Sequence, residues 1–461
     1  MTSTFETTLD CPVSAAELYA WHARSGAFER LLPPWERVKL VGLAARITNG
    51  ARQTMELSVG PLTKRWVAEI TDVEPGTSFR DVQLSGPFAR WEHRHAMEAR
   101  GSDASRLRDQ IEYRLPAGFV GRTVAGGFVR KSVERMFAYR HRITERDLRR
   151  HAEAGDAKRT VLVTGSTGLV GSALCAFLES GGHTVRRMVR KDPQHANEFR
   201  WDPARGEFDR RALIGVDAVV HLAGENVGEP RWNDKRKRRI LDSRVQGTSL
   251  IAREIGLCEN GPQTLVQASA VGIYGNRGDE ELSEASSHGD DFLSLVCEQW
   301  ESSSADIPGV RRVQLRFGVV LTPAGGALAR MLPPFRAGAG GPIGSGEQWM
   351  SWISIDDAVA ALHHAIWDAQ LEGPVNAVAP EAIRNADFGR TLGSVLKRPA
   401  ILPLPAFVAR AAFGEVADAL LLASQRVRPD KLTACGFRFD DPTLSGALQH
   451  LLGATAAKAA S

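Results

Sequence analysis

The chain has 461 residues, with 58 Lys and Arg against 54 Asp and Glu and a formal charge of +4. That length exceeds one ordinary core and argues for two or three domains, and so small a charge over dispersed arginines excludes a global demand for nucleic acid or an anionic membrane. The five cysteines, Cys11, Cys175, Cys258, Cys297 and Cys435, are odd in number and lack CxxC spacing, which argues against a disulfide framework or a zinc site and for a reducing compartment; no metal is expected.

From the N-terminus, Met1 to Asp10 carries neither a basic start nor an apolar run, so no secretory signal is expected. Residues 1–150 are expected to form an α+β domain. A helix follows Pro12 from Ala15 to Ala23, and a longer one runs from Phe128 to Arg146. Between them Arg65–Val73, Arg90–Glu98 and Arg106–Leu115 alternate polar and apolar residues in part, which suits an antiparallel sheet with one wet face. A curved sheet wrapped over the long helix leaves an apolar hollow. Trp66, Phe79, Phe88, Trp91, Ile111 and Tyr113 are candidates to line it, although such residues are more often simply core.

The polar, small-residue segment 151–158 reads as a linker. Beyond it, over 159–372, strands near Val161, Val185, Ala218, Leu265 and Val313 alternate with helical stretches, the signature of an α/β doubly wound parallel sheet of Rossmann type. The most informative stretch runs from the apolar strand at Val161 through Thr164, Gly165, Ser166, Thr167 and Gly168 into a helix that starts with Leu169, Val170 and Gly171. Three glycines at a strand-to-helix turn let backbone N–H groups approach a diphosphate, and the helix N-terminus presents unpaired N–H groups and the positive end of its dipole. At the end of the next strand an NAD site would place a carboxylate near Val189. Arg190 and Lys191 stand there instead, which favours NADP(H) through pairing with a 2′-phosphate. The small residues Leu222, Ala223 and Gly224, after His221, let the adenosine lie against backbone; His221 itself reads as a packed histidine.

The basic run Lys235–Arg239 reads as a solvated helix face. Arg316 and Arg336 are candidate anion holders near the Gly338–Gly346 loop. From Gly373 the sequence reads as a small helical C-terminal domain over 373–461, frayed from Ala454, and the apolar stretch Ala400–Ala423 is broken by prolines and charges that rule out a simple membrane span. A cytoplasmic protein with a small-molecule substrate is expected.

The Gly165–Gly171 turn, the His221–Gly224 turn, Ser269–Gly275 and Trp352–Asp357 together resemble the extended short-chain dehydrogenase/reductases, the epimerase/dehydratase superfamily. Trp232–Arg244, Asp291–Leu293, Trp300–Glu301 and the tail from Pro403 to Phe439 resemble an atypical, cell-division-inhibitor-like "epimerase family" subgroup with its own C-terminal domain. The N-terminal part is similar to the polyketide cyclase/START-like ligand-binding superfamily, which implies a helix-grip fold. The superfamily resemblance implies a tyrosine and, four residues later, a lysine that exchange a proton with substrate beside the nicotinamide. The matching helix from Asp291 to Glu301 holds neither, whether the register pairs Phe292 with Val296 or Leu293 with Cys297. Ser269 matches the upstream catalytic serine, and Tyr274 is the candidate substitute acid. The resemblance implies an NADP(H)-dependent oxidoreductase or epimerase; the missing pair favours instead a non-catalytic dinucleotide sensor or regulator, with an apolar ligand in the N-terminal module.

Overall fold

The computed structural model describes residues 2–454 apart from 43, 60, 61, 117, 230, 305 and 306. Two compact units divide the chain: the first is built on 1–157, the second on 158–175 and 183–454, and 176–182 group with the first. Among the described residues no helix is long and apolar enough to cross a membrane.

The first unit is an antiparallel sheet and a long helix. Its elements are β1 (Ser3–Cys11), α1 (Ala15–Ala23), α2 (Ala27–Arg30), β2 (Val38–Leu40), β3 (Arg52–Val59), β4 (Leu62–Glu74), β5 (Ser78–Ser85), β6 (Arg90–Ala99), β7 (Ser105–Arg114) and α3 (Gly118–Glu153). The seven strands run in the order β1-β7-β6-β5-β4-β3-β2. Ser14 starts α1 by accepting the Glu17 N–H, and the helix buries Leu18 and Trp21. The alternation read in the sequence holds: β6 turns Trp91, His93, His95 and Met97 inward, and β7 turns Leu107, Asp109, Ile111 and Tyr113 inward. Trp91, Ile111, Tyr113, Val133 and Phe137 form one apolar cluster, while Trp21, Phe79, Met97, Leu107 and Leu148 join another. The interior is therefore not uniformly apolar, because His93, His95 and Asp109 sit on the same inward face.

Helix α3 is longer at both ends than the expected Phe128–Arg146. Glycines in its first turns weaken the local helical signal in the sequence. It runs through the start of the expected 151–158 linker to Glu153, and Gly155 follows at φ +81°, a conformation that glycine adopts without strain and that stops the helix.

The second unit holds an eight-stranded sheet, β11-β10-β9-β8-β12-β13-β15-β19. In chain order its elements are β8 (Thr160–Thr164), α4 (Leu169–Ser180), β9 (Thr184–Val189), β10 (Glu198–Asp202), β11 (Glu207–Phe208), β12 (Ala218–His221), α5 (Asp234–Gly256), β13 (Thr264–Ala270), β14 (Glu281–Leu282), α6 (Phe292–Ser302), β15 (Arg311–Phe317), β16 (Val319–Leu321), α7 (Gly326–Arg336), β17 (Trp349–Met350), β18 (Trp352–Ser354), α8 (Ile355–Trp367) and β19 (Gly373–Ala377). All neighbours in the sheet are parallel except β10 and β11. Val161, Leu162 and Val163 are fully buried, as a strand covered on both faces requires. The chain leaves β8 toward one side of the sheet and reaches β12 on the other, so the crevice of this doubly wound sheet opens between their C-terminal ends.

The expected boundary at 372/373 falls inside this unit, because Gly373–Ala377 is an edge strand hydrogen-bonded to β15. The remaining helices α9 (Asn385–Leu396), α10 (Ala406–Phe413), α11 (Asp430–Ala434) and α12 (Leu444–Leu452) are not a separate compact unit either. Leu444, Leu448 and Leu451 share a core with Leu321, Trp352 and Phe388. The fraying expected from Ala454 concerns 455–461, which lie outside the described residues.

Candidate functional site

Gly165 leaves β8 at φ +68°, and a Cβ there would come within 2.9 Å of the Leu222 carbonyl carbon and the Ala223 nitrogen. A side chain at Gly171 would overlap the Gly165 carbonyl. Gly168 donates its N–H to that same carbonyl at 2.9 Å, which closes the turn. The turn is therefore as tight as backbone allows, and α4 begins immediately after it with first-turn N–H groups that its own helix cannot satisfy. Thr167 and Gly168 are exposed, and Leu169 and Val170 are half-buried. Ser166 is 6% exposed and its hydroxyl has no hydrogen-bond partner among the described residues. A glycine cradle that a Cβ would fill, beside an orphaned buried hydroxyl, fits the diphosphate of a dinucleotide.

Thr164 ties the cradle to the neighbouring strand. Its Oγ1 accepts the N–H groups of Leu222 and Ala223, each at 3.2 Å, and lies 2.7 Å from His221 Nδ1. With both N–H groups received, the threonine proton goes to His221. Burial, and secondarily the Arg244 charge, push the His221 imidazole down to about 3, so it is neutral and structural. Arg190 and Lys191 follow the last residue of β9, and both are exposed.

One residue beside the crevice escaped the sequence reading. Arg244 of α5 lies with its guanidinium 4.8 Å from the Trp300 ring centre and donates to the Glu225 and Ile240 carbonyls at 3.1 and 3.0 Å. A Cβ at Gly224 would stand 3.3 Å from its Cζ, so that glycine makes room for the arginine. Nothing local marks Arg244, since the contact joins a helix to the turn after another strand.

Ser269 and Tyr274 come together in a buried network at the C-terminal ends of β13, β15 and β19. The register aligns Ser269 with Arg316 and Arg316 with Asn376. Ser269 donates to Glu301 Oε1 at 2.6 Å, and Arg316 grips both Glu301 oxygens at 2.8 Å. Arg316 Nη1 also donates to the Tyr274 hydroxyl at 2.9 Å, and that hydroxyl donates to Asn376 Oδ1 at 2.7 Å. Burial raises the Tyr274 pKa although Arg316 works the other way, and Tyr274 is fully buried. Both hydroxyls are thus committed to protein partners, and Arg316, expected as an anion holder, is occupied by Glu301. Arg336 is exposed at the end of α7.

Helix α6 occupies the place where a proton relay was sought. Asp291 caps it by accepting the Ser294 N–H at 2.9 Å. Phe292 packs edge-on against Trp232, ring centres 5.2 Å apart, with the Lys237 ammonium 5.1 Å from its centre. Leu293, Val296 and Cys297 are buried. Burial pushes the Cys297 thiol up to about 12, so neither register supplies a proton carrier near neutral pH. The basic run is tied down in part: Arg236 contacts Glu225 at 2.7 Å and Glu229 at 3.1 Å, and Lys237 contacts Glu415 at 2.5 Å.

A parallel sheet with a glycine cradle at its switch point defines a Rossmann-type dinucleotide-binding protein of the short-chain dehydrogenase/reductase kind. Residues 161–377 match the NAD dependent epimerase/dehydratase family, 404–451 match a domain of unknown function (DUF1731), and 11–140 match polyketide cyclase / dehydrase and lipid transport proteins. An epimerase family protein of Mycobacterium bovis is 45% identical over 296 residues, 64% of this chain and 98% of its own length. A solved nucleoside-diphosphate sugar epimerase from Corynebacterium glutamicum is similar over 97% of this chain and 90% of that one, at 34% identity and a TM-score of 0.79. The solved human epimerase family protein SDR39U1 with NADPH covers 64% of this chain and 99% of its own, at 38% identity and a TM-score of 0.59. The chain belongs to the NAD dependent epimerase/dehydratase family, carries the DUF1731 segment at its C-terminal side and has a polyketide cyclase-like domain in front.

Proposed function

We propose that the second unit binds NADP(H) and acts as an oxidoreductase or epimerase on a small substrate. The observation that carries this reading is the cradle of Gly165, Gly168 and Gly171 beside the orphaned Ser166 hydroxyl. In this reading Thr164 to Gly171 hold the diphosphate, Leu222, Ala223 and Gly224 face the adenosine, and Arg190 and Lys191 hold a 2′-phosphate. Their exposure and cationic chemistry support the phosphate-bearing cofactor, as does the human relative solved with NADPH. When bound, the nicotinamide supplies or accepts hydride.

Ser269 and Tyr274 serve here as positioning residues: with Glu301, Arg316 and Asn376 they hold three strand ends at one level. Because Phe292, Val296 and Cys297 offer no proton, proton exchange in this reading passes through water. The same apolar packing of α6 favours a second reading, a dinucleotide sensor without turnover.

Calorimetric titration of the full chain with NADPH and NADH, repeated on Arg190→Glu, tests the first step. We expect tighter binding of NADPH, with a loss of at least tenfold in the variant; equal affinity for both nucleotides removes the 2′-phosphate assignment. NADPH oxidation across a panel of small carbonyl compounds then separates the readings, since tight binding with no turnover favours the sensor.

A further inference from the structure

Four side chains on the inward face of the first unit form a second site that the nucleotide chemistry does not use. The strand register sets Asp81 of β5 opposite His93 of β6, and Asp109 of β7 opposite His95 of β6. Residues 93 and 95 share a face because successive side chains on a strand alternate. His93 Nδ1 lies 3.1 Å from Asp81 Oδ2, and His95 Nε2 lies 3.6 Å from that same oxygen. On the far side of the rings His93 Nε2 is 3.0 Å and His95 Nδ1 2.9 Å from Asp109 Oδ1. His141 of α3 meets the other Asp109 oxygen at 2.7 Å. Each strand imidazole therefore turns one nitrogen toward Asp109 and the other toward Asp81.

Asp109 is 2% exposed and, as a carboxylate, can only accept hydrogen bonds. Holding the His93 N–H there directs the lone pair of the opposite nitrogen at Asp81. A lone pair facing a carboxylate oxygen is repulsive, so that nitrogen carries either a proton or a metal ion; without metal, Asp81 and Asp109 raise the His93 pKa to about 9 against the effect of burial and make the ring an imidazolium. The His95 Nδ1 contact is close but off the line of a hydrogen bond, and the ring is held instead by stacking on Phe79, ring centres 4.2 Å apart.

We propose that Asp81, His93 and His95 bind a divalent first-row transition ion, with Asp109 as the outer acceptor that orients His93. One ligand atom from each of the three residues lies within 4.8 Å of the others. An ion bonded at about 2.1 Å to each ligand separates neighbouring ligand atoms by roughly 3.0–3.4 Å, close to the 3.1 and 3.6 Å found here. A carboxylate behind a ligating histidine is the usual outer arrangement of such sites. Two imidazoles and one carboxylate suit zinc or ferrous iron rather than magnesium or calcium, and three protein ligands leave positions open for water or a bound molecule. The Asp81 side chain is 21% exposed while His93 is 2% exposed, so entry is from the Asp81 side. The site stands apart from the nucleotide reading and survives its failure.

The test uses the full-length chain, stripped with chelator and titrated with Co²⁺ while its visible d–d absorption is followed, then with Zn²⁺ in competition. We expect saturable uptake that Zn²⁺ displaces, at least tenfold weaker in Asp81→Asn and in His95→Gln and roughly 10–100-fold weaker in Asp109→Asn. Far-UV circular dichroism checks that each variant is folded. Asp81→Asn is the mildest, because that side chain reaches solvent. X-ray absorption at the zinc edge of the wild-type chain needs no variant: a nitrogen–oxygen shell with two imidazoles supports the site, and a thiolate or a shell without imidazole overturns it. The absence of saturable Co²⁺ or Zn²⁺ uptake, or uptake unchanged in Asp81→Asn and His95→Gln, also overturns it and leaves the cluster a structural ion-pair network.

Discussion

At Gly171 the absence of one carbon decides whether the cradle exists, because a Cβ would overlap the Gly165 carbonyl, which is backbone and cannot swing aside. Gly171→Ala should therefore abolish measurable NADPH binding in calorimetry while the far-UV spectrum stays native. Affinity within threefold of wild type would mean that the diphosphate lies elsewhere. His221 carries a different dependence. Its folded pKa, about 3, lies below the unfolded value near 6.5, so the unfolded chain takes up the proton first. Its contribution is fully present above about pH 6.5 and is lost as pH falls toward 3, amounting to about 2 kcal/mol at pH 5. Urea unfolding at pH 7.5 and pH 5 should show wild type losing about that much more than His221→Asn; equal losses would mean that the histidine is charged in the folded chain.

At the scale of the element, α6 holds neither tyrosine nor lysine and is fixed by polar contacts at both ends. Asp291 accepts the Ser294 N–H, and replacing it with alanine should cost about 1 kcal/mol, read as a lowered urea midpoint. At the other end of the helix Glu301 neutralises the buried Arg316. Glu301→Gln leaves that guanidinium without its counter-charge and should cost roughly 3–5 kcal/mol, or about 10 °C in melting temperature. A drop under 3 °C would mean that water reaches the pair. Tyr274→Phe, which strips a donor from Asn376 and an acceptor from Arg316, should cost about 1–3 kcal/mol. Turnover, where present, should change less than threefold, and a hundredfold loss would return Tyr274 to the chemistry. Strand alternation in β6 and β7 was legible, but its meaning was not: period two says which residues face inward, not that an imidazole and a carboxylate meet there across separate strands.

For the molecule as a whole, nucleotide binding should report on the second unit. NADPH at a hundred times its dissociation constant adds about 2.7 kcal/mol to the folded state. In a calorimetric scan that gain should appear in the unfolding of the second unit and vanish with Gly171→Ala; an upward shift that persists in the variant would place the binding elsewhere. The sequence by itself determined the alternation of helices with strands near Val161, Val185, Ala218, Leu265 and Val313 and the glycine turn, because these are local patterns of residue size, period and chemical type, whereas strands β10, β11 and β19 went unread. It read α1 at its observed limits, Ala15 to Ala23 after Pro12. Only the tertiary structure decided that Tyr274 and Ser269 are spent in a network with Glu301, Arg316 and Asn376, that α12 completes the core of the second unit, and that Asp81, His93, His95 and Asp109 converge. Each of those facts joins residues far apart in the chain, and such meetings are set by sheet order, register and packing, which one-dimensional periodicity does not encode.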